Sequence, residues 1–406
     1  MISYTEARHI LIEAAEARAG AVPLLHERVP LEEAAGRVLA ESLAADREAP
    51  PFDRATRDGY AVRSADVAAV PATLQLAGEV RAGENFAGRV GPGHCVQIMT
   101  GAPLPSGADA VVMIEHTEAA GNAVVIRRSV VGGENVVARG SEARRGAEVL
   151  AGGTRLGYAE LGIAAQFGHA KIPVFLRPRV AVLSTGDEIV PVSAAPGPFQ
   201  IRNSNAFSLA AQVTLAGGVP FPLGPVADEA GKLRLFIEEG LEADALVITG
   251  GVSAGKYDLV EGVLHDLGAV TLFDGVAIRP GRPAVFAMCH QKPVLGLPGN
   301  PVSTMVTFEL FGVPLVDVLS GAPPRSLPIL RARLRRAVCQ KAALTHFLPA
   351  ELTWKEGEAQ VAELTWQGSG DIAALARANC FLVIPESKLE SEAGEWVNVL
   401  VRRDRL

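Results

Sequence analysis

The sequence has few cysteines, no long apolar run and no excess of positive charge. Its four cysteines form no CxxC pair and no ligand-like spacing with histidine. This spacing argues against a zinc site or a disulfide framework and predicts free thiols, as in a reducing cytoplasm. No stretch approaches about eighteen consecutive apolar residues, so no membrane span is expected. The N-terminal segment lacks the basic and apolar regions of a signal peptide. A net charge of −7 argues against a nucleic-acid partner.

The composition is that of a chain with several well-packed domains. Its 406 residues exceed the usual size of one domain, and 49% of them are apolar. The 42 glycines and 27 prolines show no short period, which indicates many turns and excludes a collagen-like chain.

The pattern of short runs divides the chain into four parts. Helical spacing marks both ends of the first 177 residues, with a capping box at Ser3 and Glu6 and a second helix predicted over 31–42. Short β-like runs between glycine and proline turns interrupt these helical parts. The predicted division is a discontinuous helical domain over 1–44 and 141–177, an inserted β domain over 45–140, an α/β domain over 178–324 and a C-terminal β barrel over 325–406.

The third part alternates strands and helices. RVAVLS, DALVIT and PVLGL are strand candidates, and helix-like segments such as FSLAAQVTLAGG and LVEGVLHDLG separate them. This alternation predicts a parallel, doubly wound sheet. The last part, with LRARLRRAV and WVNVLV, reads as a small β domain whose arginines lie on a solvated face.

The stretch DALVITGGVSAGKYDL resembles a nucleotide-binding P-loop. Gly250, Gly255 and Lys256 fit the pattern G-x-x-x-x-G-K. That pattern needs a Ser or Thr hydroxyl next, because the hydroxyl binds Mg²⁺. Here Tyr257 follows, and then Asp258 adds negative charge where phosphates would lie. A P-loop NTPase is therefore an alternative that the local sequence disfavours.

Three turns follow predicted strands, and such turns meet at one edge of a parallel sheet. STGDEIV carries Asp187 and Glu188, TGGVSAGKYD carries Gly250 and Gly251, and LPGNPVS carries Gly299. The glycines let backbone N–H groups approach an anion closely, and the acids supply the hard oxygen ligands of Mg²⁺. The pattern predicts a site for a phosphorylated ligand with Mg²⁺.

Each of these turns also has a purely local interpretation. Asn300 and Pro301 form an ordinary helix start, with Asn as N-cap and Pro in the first turn. Asp258 would also favour the positive end of its helix, and Asp187 and Glu188 would also suit a solvated turn.

Two other segments carry candidate polar residues. AIRPGRPAVF places Arg279 and Arg282 on a proline-stiffened loop, where their guanidinium groups would bind oxyanions or remain ordinary surface charges. The β insertion supplies Asp58 in PPFDRATRDGYAVR and Thr100 in IMTGAPLPSGADAVV. Asp58 with the following glycine is also a typical turn.

The motifs together resemble the molybdopterin molybdenumtransferases, the MoeA family that includes the gephyrin E-domain. PPFDRATRDGYAVR, IMTGAPLPSGADAVV, GENVVARG, RVAVLSTGDEIV, TGGVSAGKYD, AIRPGRP and GLPGNPVS occur in this order over almost the whole chain. The resemblance implies the four-part organisation described above in an elongated homodimer.

The resemblance also implies an activity. The family inserts molybdate into adenylylated molybdopterin and cleaves the adenylate with Mg²⁺, which releases AMP and molybdenum cofactor. It implies a cytoplasmic enzyme whose partners include a molybdopterin adenylyltransferase and apo-molybdoenzymes. The second subunit of the dimer is expected to complete the active site.

The residues carried over by motif fall into three groups. The catalytic group is Asp58, Thr100, Glu188, Asp228 and Asp258. The metal ligands are Asp187, Glu188 and Asp258. The substrate- and anion-binding group is Ser184, Thr185, Gly250, Gly251, Ser253, Arg279, Arg282, Pro298, Gly299, Asn300, Ser369 in QGSGD, and Glu142.

The chain departs from the family pattern at three of these positions. Arg279 and Arg282 stand where the family usually has lysines, and an arginine presents a planar fork rather than a point charge. Glu142 stands where the family has an aspartate. A non-enzymatic dimeric scaffold is the alternative function, although Asp58, Glu188 and Asp258 are all present.

Overall fold

The computed structural model describes residues 1–251, 259–340 and 344–405. In these ranges the α-helices are α1 Tyr4–Ala21, α2 Tyr158–Gln166, α3 Asn205–Ala216, α4 Ala230–Gly240, α5 Leu259–Asp266, α6 Pro301–Thr307, α7 Val313–Leu319 and α8 Ile372–Arg377. Helix α1 starts at the predicted cap, where the Ser3 side chain accepts a hydrogen bond from the Glu6 N–H at 3.2 Å.

Helices α6 and α7 are joined by a π-helical turn, Phe308–Gly312. The whole segment Pro301–Leu319 is apolar and long enough to cross a membrane by length and composition alone. However, 94% of its most apolar window is buried inside the protein, as expected for a core helix.

Twelve short strands lie between α1 and the α/β part of the chain. They are β1 His26–Pro30, β2 Leu43–Ala44, β3 Arg54–Ala55, β4 Gly59–Val62, β5 Ala72–Val80, β6 His94–Ile98, β7 Ala110–Met113, β8 Thr117–Ala120, β9 Ala123–Ile126, β10 Val136–Val137, β11 Glu148–Leu150 and β12 Lys171–Phe175. Six of them form one sheet in the order β7-β4-β6-β5-β9-β8. This sheet is the predicted β insertion.

The helix predicted over 31–42 is wrong. Only Leu31–Glu33 forms a short 3₁₀ turn. Gly36 then adopts φ +72°, which ends any helical path, and the Leu39 N–H donates to the Thr154 carbonyl at 2.9 Å. Tertiary pairing with the segment that follows the insertion has therefore overridden the local helical spacing. The four cysteines are free thiols, as predicted.

The α/β part is built on a six-stranded sheet. The strands of this part are β13 Arg179–Thr185, β14 Ile189–Val190, β15 Ile201–Arg202, β16 Val219–Val226, β17 Ala245–Thr249, β18 Val270–Asp274, β19 Ile278–Arg279, β20 Val285–Cys289 and β21 Lys292–Leu297. The sheet order is β16-β13-β17-β21-β20-β18. The first four strands are parallel, as predicted, whereas β20 runs antiparallel to both of its neighbours.

Helices cover both faces of this sheet. Along β13, Val180 and Val182 pack with α3, α6 and α7, whereas Ala181 and Leu183 pack with α4 and α5. Side chains alternate in this way because successive residues of a strand point to opposite faces. The arrangement is the predicted doubly wound α/β domain.

Helix α1 packs on this α/β part. Its buried residues Ala7, Leu11 and Ala15 lie in the same core as the side chains of α3 and α7. The segments on either side of the insertion form a separate small core through the pairs β1–β12 and β2–β11 together with α2. The domain boundaries given above stay a prediction.

The C-terminal part is a closed barrel. Its strands are β22 Ile329–Leu334, β23 Val338–Cys339, β24 Thr345–Lys355, β25 Glu358–Glu363, β26 Cys380–Ile384, β27 Glu390–Ser391 and β28 Trp396–Val401. The order β24-β25-β22-β28-β26 closes because β24 also pairs with β26. Strand β19 of the α/β part adds to β24 in parallel and joins the two parts.

Candidate active site

A cleft of about 390 Å³ lies at the carboxyl ends of β13, β17 and β21. The three turns predicted to meet do meet here. Of the predicted residues, Thr185, Glu188, Asp228, Gly250, Gly251, Pro298, Gly299 and Asn300 line the cleft. An open α/β sheet places its ligand at this edge, because the turns after adjacent parallel strands converge there.

The turns approach so closely that two positions require glycine. Gly250 adopts φ +90°, and a Cβ at this position would clash with the Thr185 carbonyl oxygen. Gly251 adopts φ +62°, and a Cβ at this position would lie 2.9 Å from Thr185 Oγ1. The floor of the cleft is therefore bare backbone, which suits a ligand that binds to main-chain N–H groups.

Three carboxylates lie together at one side of the cleft. The Asp187 side chain accepts a hydrogen bond from the Asp228 N–H at 3.0 Å. Burial raises the pKa of Asp228, and the charges of Asp187 and Glu188 raise it further. The Glu188 carboxylate folds back over Gly186, so that a Cβ at Gly186 would lie 2.6 Å from Glu188 Oε2. Like charges held this close favour a counter-ion.

Among the residues that the structure describes, no group of three Asp, Glu, His or Cys side chains is close enough to hold a metal ion together. Two predicted residues of this region, Ser253 and Asp258, lie outside the described residues, as do Lys256 and Tyr257 of the P-loop-like motif. The predicted metal ligands Asp187 and Glu188 are exposed at the cleft side.

A buried amide network supports the cleft, and the sequence interpretation missed part of it. Predicted Ser184 is fully buried and donates to Asn203 Oδ1 at 3.0 Å. Asn205 donates from Nδ2 to Thr249 Oγ1 at 2.9 Å and to the Gly299 carbonyl at 2.7 Å. The Asn205 Oδ1 and Thr185 Oγ1 atoms are buried and have no hydrogen-bond partner within residues 1–251, 259–340 and 344–405. The polar run IRNSN, residues 201–205 at the start of α3, is the sequence feature from which this network could have been predicted.

Asn300 links the cleft to the C-terminal barrel. It is the N-cap residue of α6, with Pro301 in the first turn, as the local interpretation expected. Its side chain makes no capping hydrogen bond and instead donates to Ser369 Oγ at 2.9 Å. The Val302 N–H also donates to the Ser369 carbonyl at 3.0 Å. The structure therefore brings predicted Ser369 next to the cleft.

Arg279 and Arg282 lie beside the cleft without lining it. Both side chains are exposed, Arg279 at the end of β19 and Arg282 on the turn between β19 and β20. Pro283, the next residue along, does line the cleft. His346 is buried on the strand beside Arg279, and burial and the Arg279 charge lower its pKa.

The insertion residues form their own group. Asp58 accepts two hydrogen bonds from Thr100, and these bonds lower its pKa. Glu142, just after the predicted insertion, forms an ion pair with Arg54 of the insertion at 3.3 Å. Within the described part of the chain, no residue of the insertion lines the cleft, so one subunit does not bring Asp58 to Glu188.

Comparisons with known families and sequences agree along the whole chain. The family described as the MoeA N-terminal region (domain I and II) matches residues 2–168. The family described as a probable molybdopterin binding domain matches residues 181–318, and the MoeA C-terminal region (domain IV) matches residues 331–401. The molybdopterin molybdenumtransferase of Bacillus subtilis is 36% identical over 93% of this chain and 90% of its own. The molybdopterin molybdenumtransferase of Synechococcus elongatus is 35% identical over 98% of this chain and 99% of its own.

Two solved structures of a molybdopterin biosynthesis MoeA protein from Pyrococcus horikoshii have the same architecture. One has a TM-score of 0.81 at 27% identity and covers 99% of this chain and 100% of its own. The other has a TM-score of 0.72 at 33% identity and covers 96% of this chain and 98% of its own.

Proposed function

The chain belongs to the MoeA family of molybdopterin molybdenumtransferases, and from this premise we propose how its cleft works. It is a transferase of molybdenum cofactor biosynthesis. We propose that it binds adenylylated molybdopterin and molybdate in the cleft, inserts the metal and releases AMP in a Mg²⁺-dependent cleavage.

The single observation that carries this proposal is the convergence of three turns on one cleft that two carboxylates, Glu188 and Asp228, also line. The backbone at Gly251 and Gly299 offers N–H groups to the phosphates of an adenylate, whereas the Gly250 N–H donates to the Leu297 carbonyl at 3.2 Å and so holds two of the turns together. The volume of about 390 Å³ is in the usual range of ligand pockets, roughly 300–1,000 Å³. The backbone would hold the pyrophosphate while the side chains act on its charge.

The acids beside the cleft fit a magnesium ion by their chemistry. Mg²⁺ prefers hard oxygen ligands, and one or two carboxylates with substrate phosphates commonly complete its coordination. Asp187, Glu188 and Asp228 offer such oxygens, and the pKa of Asp228 is raised first by burial and then by the other two charges. Because the described acids do not by themselves form a group of three ligands, one or two of them would hold the ion together with substrate phosphates. When bound, Mg²⁺ would neutralise charge that develops on the adenylate phosphate.

The remaining roles belong to residues at the rim of the cleft. Asn300 and Ser369 hold the barrel against the third turn and so fix the position of the Gly299 backbone. Arg279 and Arg282, both exposed beside the cleft, would attract molybdate by charge and bind its oxygens through their planar forks.

Asp58 and Thr100 require a second subunit in this scheme. They are hydrogen-bonded to each other on the insertion, and the described insertion residues lie outside the cleft lining of their own chain. A twofold dimer would present the insertion of one subunit to the cleft of the other. We place the enzyme in the cytoplasm, where it would receive substrate from a molybdopterin adenylyltransferase and deliver cofactor to apo-molybdoenzymes.

The deciding experiment supplies adenylylated molybdopterin, molybdate and Mg²⁺ to the purified protein. AMP release together with reconstitution of an apo-molybdoenzyme supports the proposal. Glu188→Gln is the test variant, and Glu118→Gln, an exposed acid of the insertion paired with Arg127, is the matched control. The scaffold alternative would gain support if the wild type released no AMP, but the homologous enzymes do not favour it.

A further inference from the structure

The chain crosses twice, side by side, between the α/β part and the segments around the insertion. It leaves through residues 22–25, after α1, and returns through residues 176–178, before β13. The Leu176 N–H donates to the Leu25 carbonyl at 2.9 Å, which fastens the two crossings together. A cavity of about 190 Å³ lies against them. It is at the edge where β13 and β21 begin, opposite the cleft.

A buried arginine lines this cavity with an unused donor. Arg18 of α1 is only 8% exposed. Its Nη2 lies 3.5 Å from Asp244 Oδ1, a long contact, and its buried Nε meets no hydrogen-bond acceptor among the described residues. The guanidinium group is therefore only weakly paired, and an anion that reaches it from the cavity would be held strongly.

The other charged groups at the cavity leave a surplus of positive charge. Arg177 and Lys292 also line it, and Asp244 is the one carboxylate among its lining residues. Asp244 already accepts the Arg179 N–H at 2.9 Å. Lys292 donates one N–H to the Ala243 carbonyl at 2.7 Å, which leaves two others for a ligand. Three cationic side chains therefore surround one carboxylate that already accepts a hydrogen bond, and this arrangement suits an anion.

The rest of the wall is apolar. Leu25 is 70% exposed and Leu176 is 40% exposed, both next to the buried Leu319. The cavity is also smaller than most cofactor pockets, which measure roughly 300–1,000 Å³. Its size and walls therefore suit a small molecule better than a nucleotide.

We propose that this cavity binds a small aliphatic carboxylate. The carboxylate accepts from the Arg18 guanidinium group and is shared with Arg177 or Lys292, while the aliphatic part packs on Leu25 and Leu176. Such a ligand joins α1, the returning crossing and the start of β21. It stabilises the connection between the two parts of the chain, and this site is independent of the reaction in the cleft.

The test uses isovalerate as the probe, with acetate and inorganic phosphate as comparisons, in titration calorimetry at constant ionic strength. We expect saturable binding of isovalerate that is about tenfold tighter than that of acetate, because of the added methyl and methylene groups. Equal affinities for isovalerate and acetate, or tighter binding of phosphate, would overturn the assignment of an aliphatic carboxylate.

Three variants locate the binding. Arg18→Met and Arg177→Ala should each weaken isovalerate by about tenfold or more, through loss of a charge-assisted contact. Asp244→Asn should strengthen binding, because it removes the competing carboxylate. Arg28→Ala, an exposed arginine of β1, is the control and should bind as the wild type does.

Because Arg18 is buried, its replacement can disrupt the fold. The isovalerate affinity of Arg18→Met is therefore interpreted only if this variant unfolds cooperatively. Arg177→Ala and Asp244→Asn test the same site from exposed positions. If both bind isovalerate with the affinity of the wild type, the proposal is wrong.

Discussion

Thr100 donates two hydrogen bonds to the same carboxylate oxygen of Asp58, from its backbone N–H at 2.6 Å and from its hydroxyl at 2.7 Å. Both residues are exposed on the insertion, 42 positions apart in the chain. The two bonds fix the Asp58 side chain and keep it ionised, because hydrogen bonds to a carboxylate favour its charged form. The pair is an acidic group held in one position that the insertion could offer to a second subunit.

Loss of the Thr100 hydroxyl should raise the pKa of Asp58 toward its ordinary value. Thr100→Val removes the side-chain hydrogen bond, which is the largest cause of the lowered pKa. Thr100→Ser keeps a hydroxyl and is the control. An NMR titration of the Asp58 carboxyl group measures its pKa in both variants. Because the folded pKa is lowered, the contribution of Asp58 to stability is present above its unfolded pKa and is lost as the pH falls through the folded pKa.

An Asp228→Asn variant should be more stable at neutral pH and less active. The folded pKa of Asp228 is raised, first by burial and then by Asp187 and Glu188. The folded state therefore holds the proton more tightly, so stability is lost as the pH rises through the raised pKa. Asparagine avoids that loss. The gain should be under about 1 kcal/mol, because the group is exposed and solvent screens its interactions.

Thermal melts at neutral and acidic pH test whether Asp228→Asn is more stable than the wild type at neutral pH. Asp371→Asn is the matched control, since hydrogen bonds from the Ala374 and Gln367 N–H groups lower the pKa of Asp371. This control should lose stability at neutral pH. A lower melting temperature for Asp228→Asn at pH 7 would contradict the repulsion between the carboxylates.

Gly250→Ala should destabilise the protein and abolish ligand binding in the cleft. The residue has φ +90°, and the added methyl group would meet the Thr185 carbonyl. The strained backbone alone costs about 1–3 kcal/mol. Gly262→Ala on α5 is the control, because a Cβ there meets nothing within 4 Å. That helical change should raise the free energy of unfolding by about 0.5–1 kcal/mol. Urea unfolding compares the two.

Replacement of Arg279 and Arg282 should act on molybdate more than on the pterin substrate. The Arg279→Ala, Arg282→Ala double variant should need a higher molybdate concentration for insertion, since each charge-assisted contact contributes about 1.5–3 kcal/mol. The double lysine variant keeps the charge and loses the planar fork. If the alanine variant shows wild-type molybdate dependence, both arginines are ordinary surface charges. We expect little difference between molybdate and tungstate.

Mixing two inactive variants should restore activity if the site spans two subunits. In a hybrid of Asp58→Ala and Glu188→Ala, one site carries both lesions and the other carries neither. Random exchange makes about half of the dimers hybrid, so activity should return to about a quarter of wild type. Asp58→Ala mixed with Thr100→Ala is the control, because every site then keeps one lesion. No recovery, with exchange confirmed by mass, would place Asp58 outside the shared site.

The sequence by itself determined the α/β part, the barrel and most of the cleft. Buried strands of β-branched residues, each followed by a glycine turn, leave few alternatives, and this explains why β13, β17 and β21 and their three turns were predicted. Gly250 and Gly251 were recognisable because a turn with positive φ that packs closely on its neighbours has no room for a Cβ. The resemblance added residues with no local signal, such as Ser369.

Tertiary structure alone decided the rest. Residues 31–42 have helical spacing, yet Leu39 pairs with Thr154 across the inserted domain, since a non-local hydrogen bond outweighs a weak propensity. Asn300 looked like a cap for its own helix, but its side chain contacts Ser369 of the barrel. Nothing in the local sequence marks Arg18. Only the packing of α1 in the folded protein buries it and leaves its Nε without a hydrogen-bond partner among the described residues.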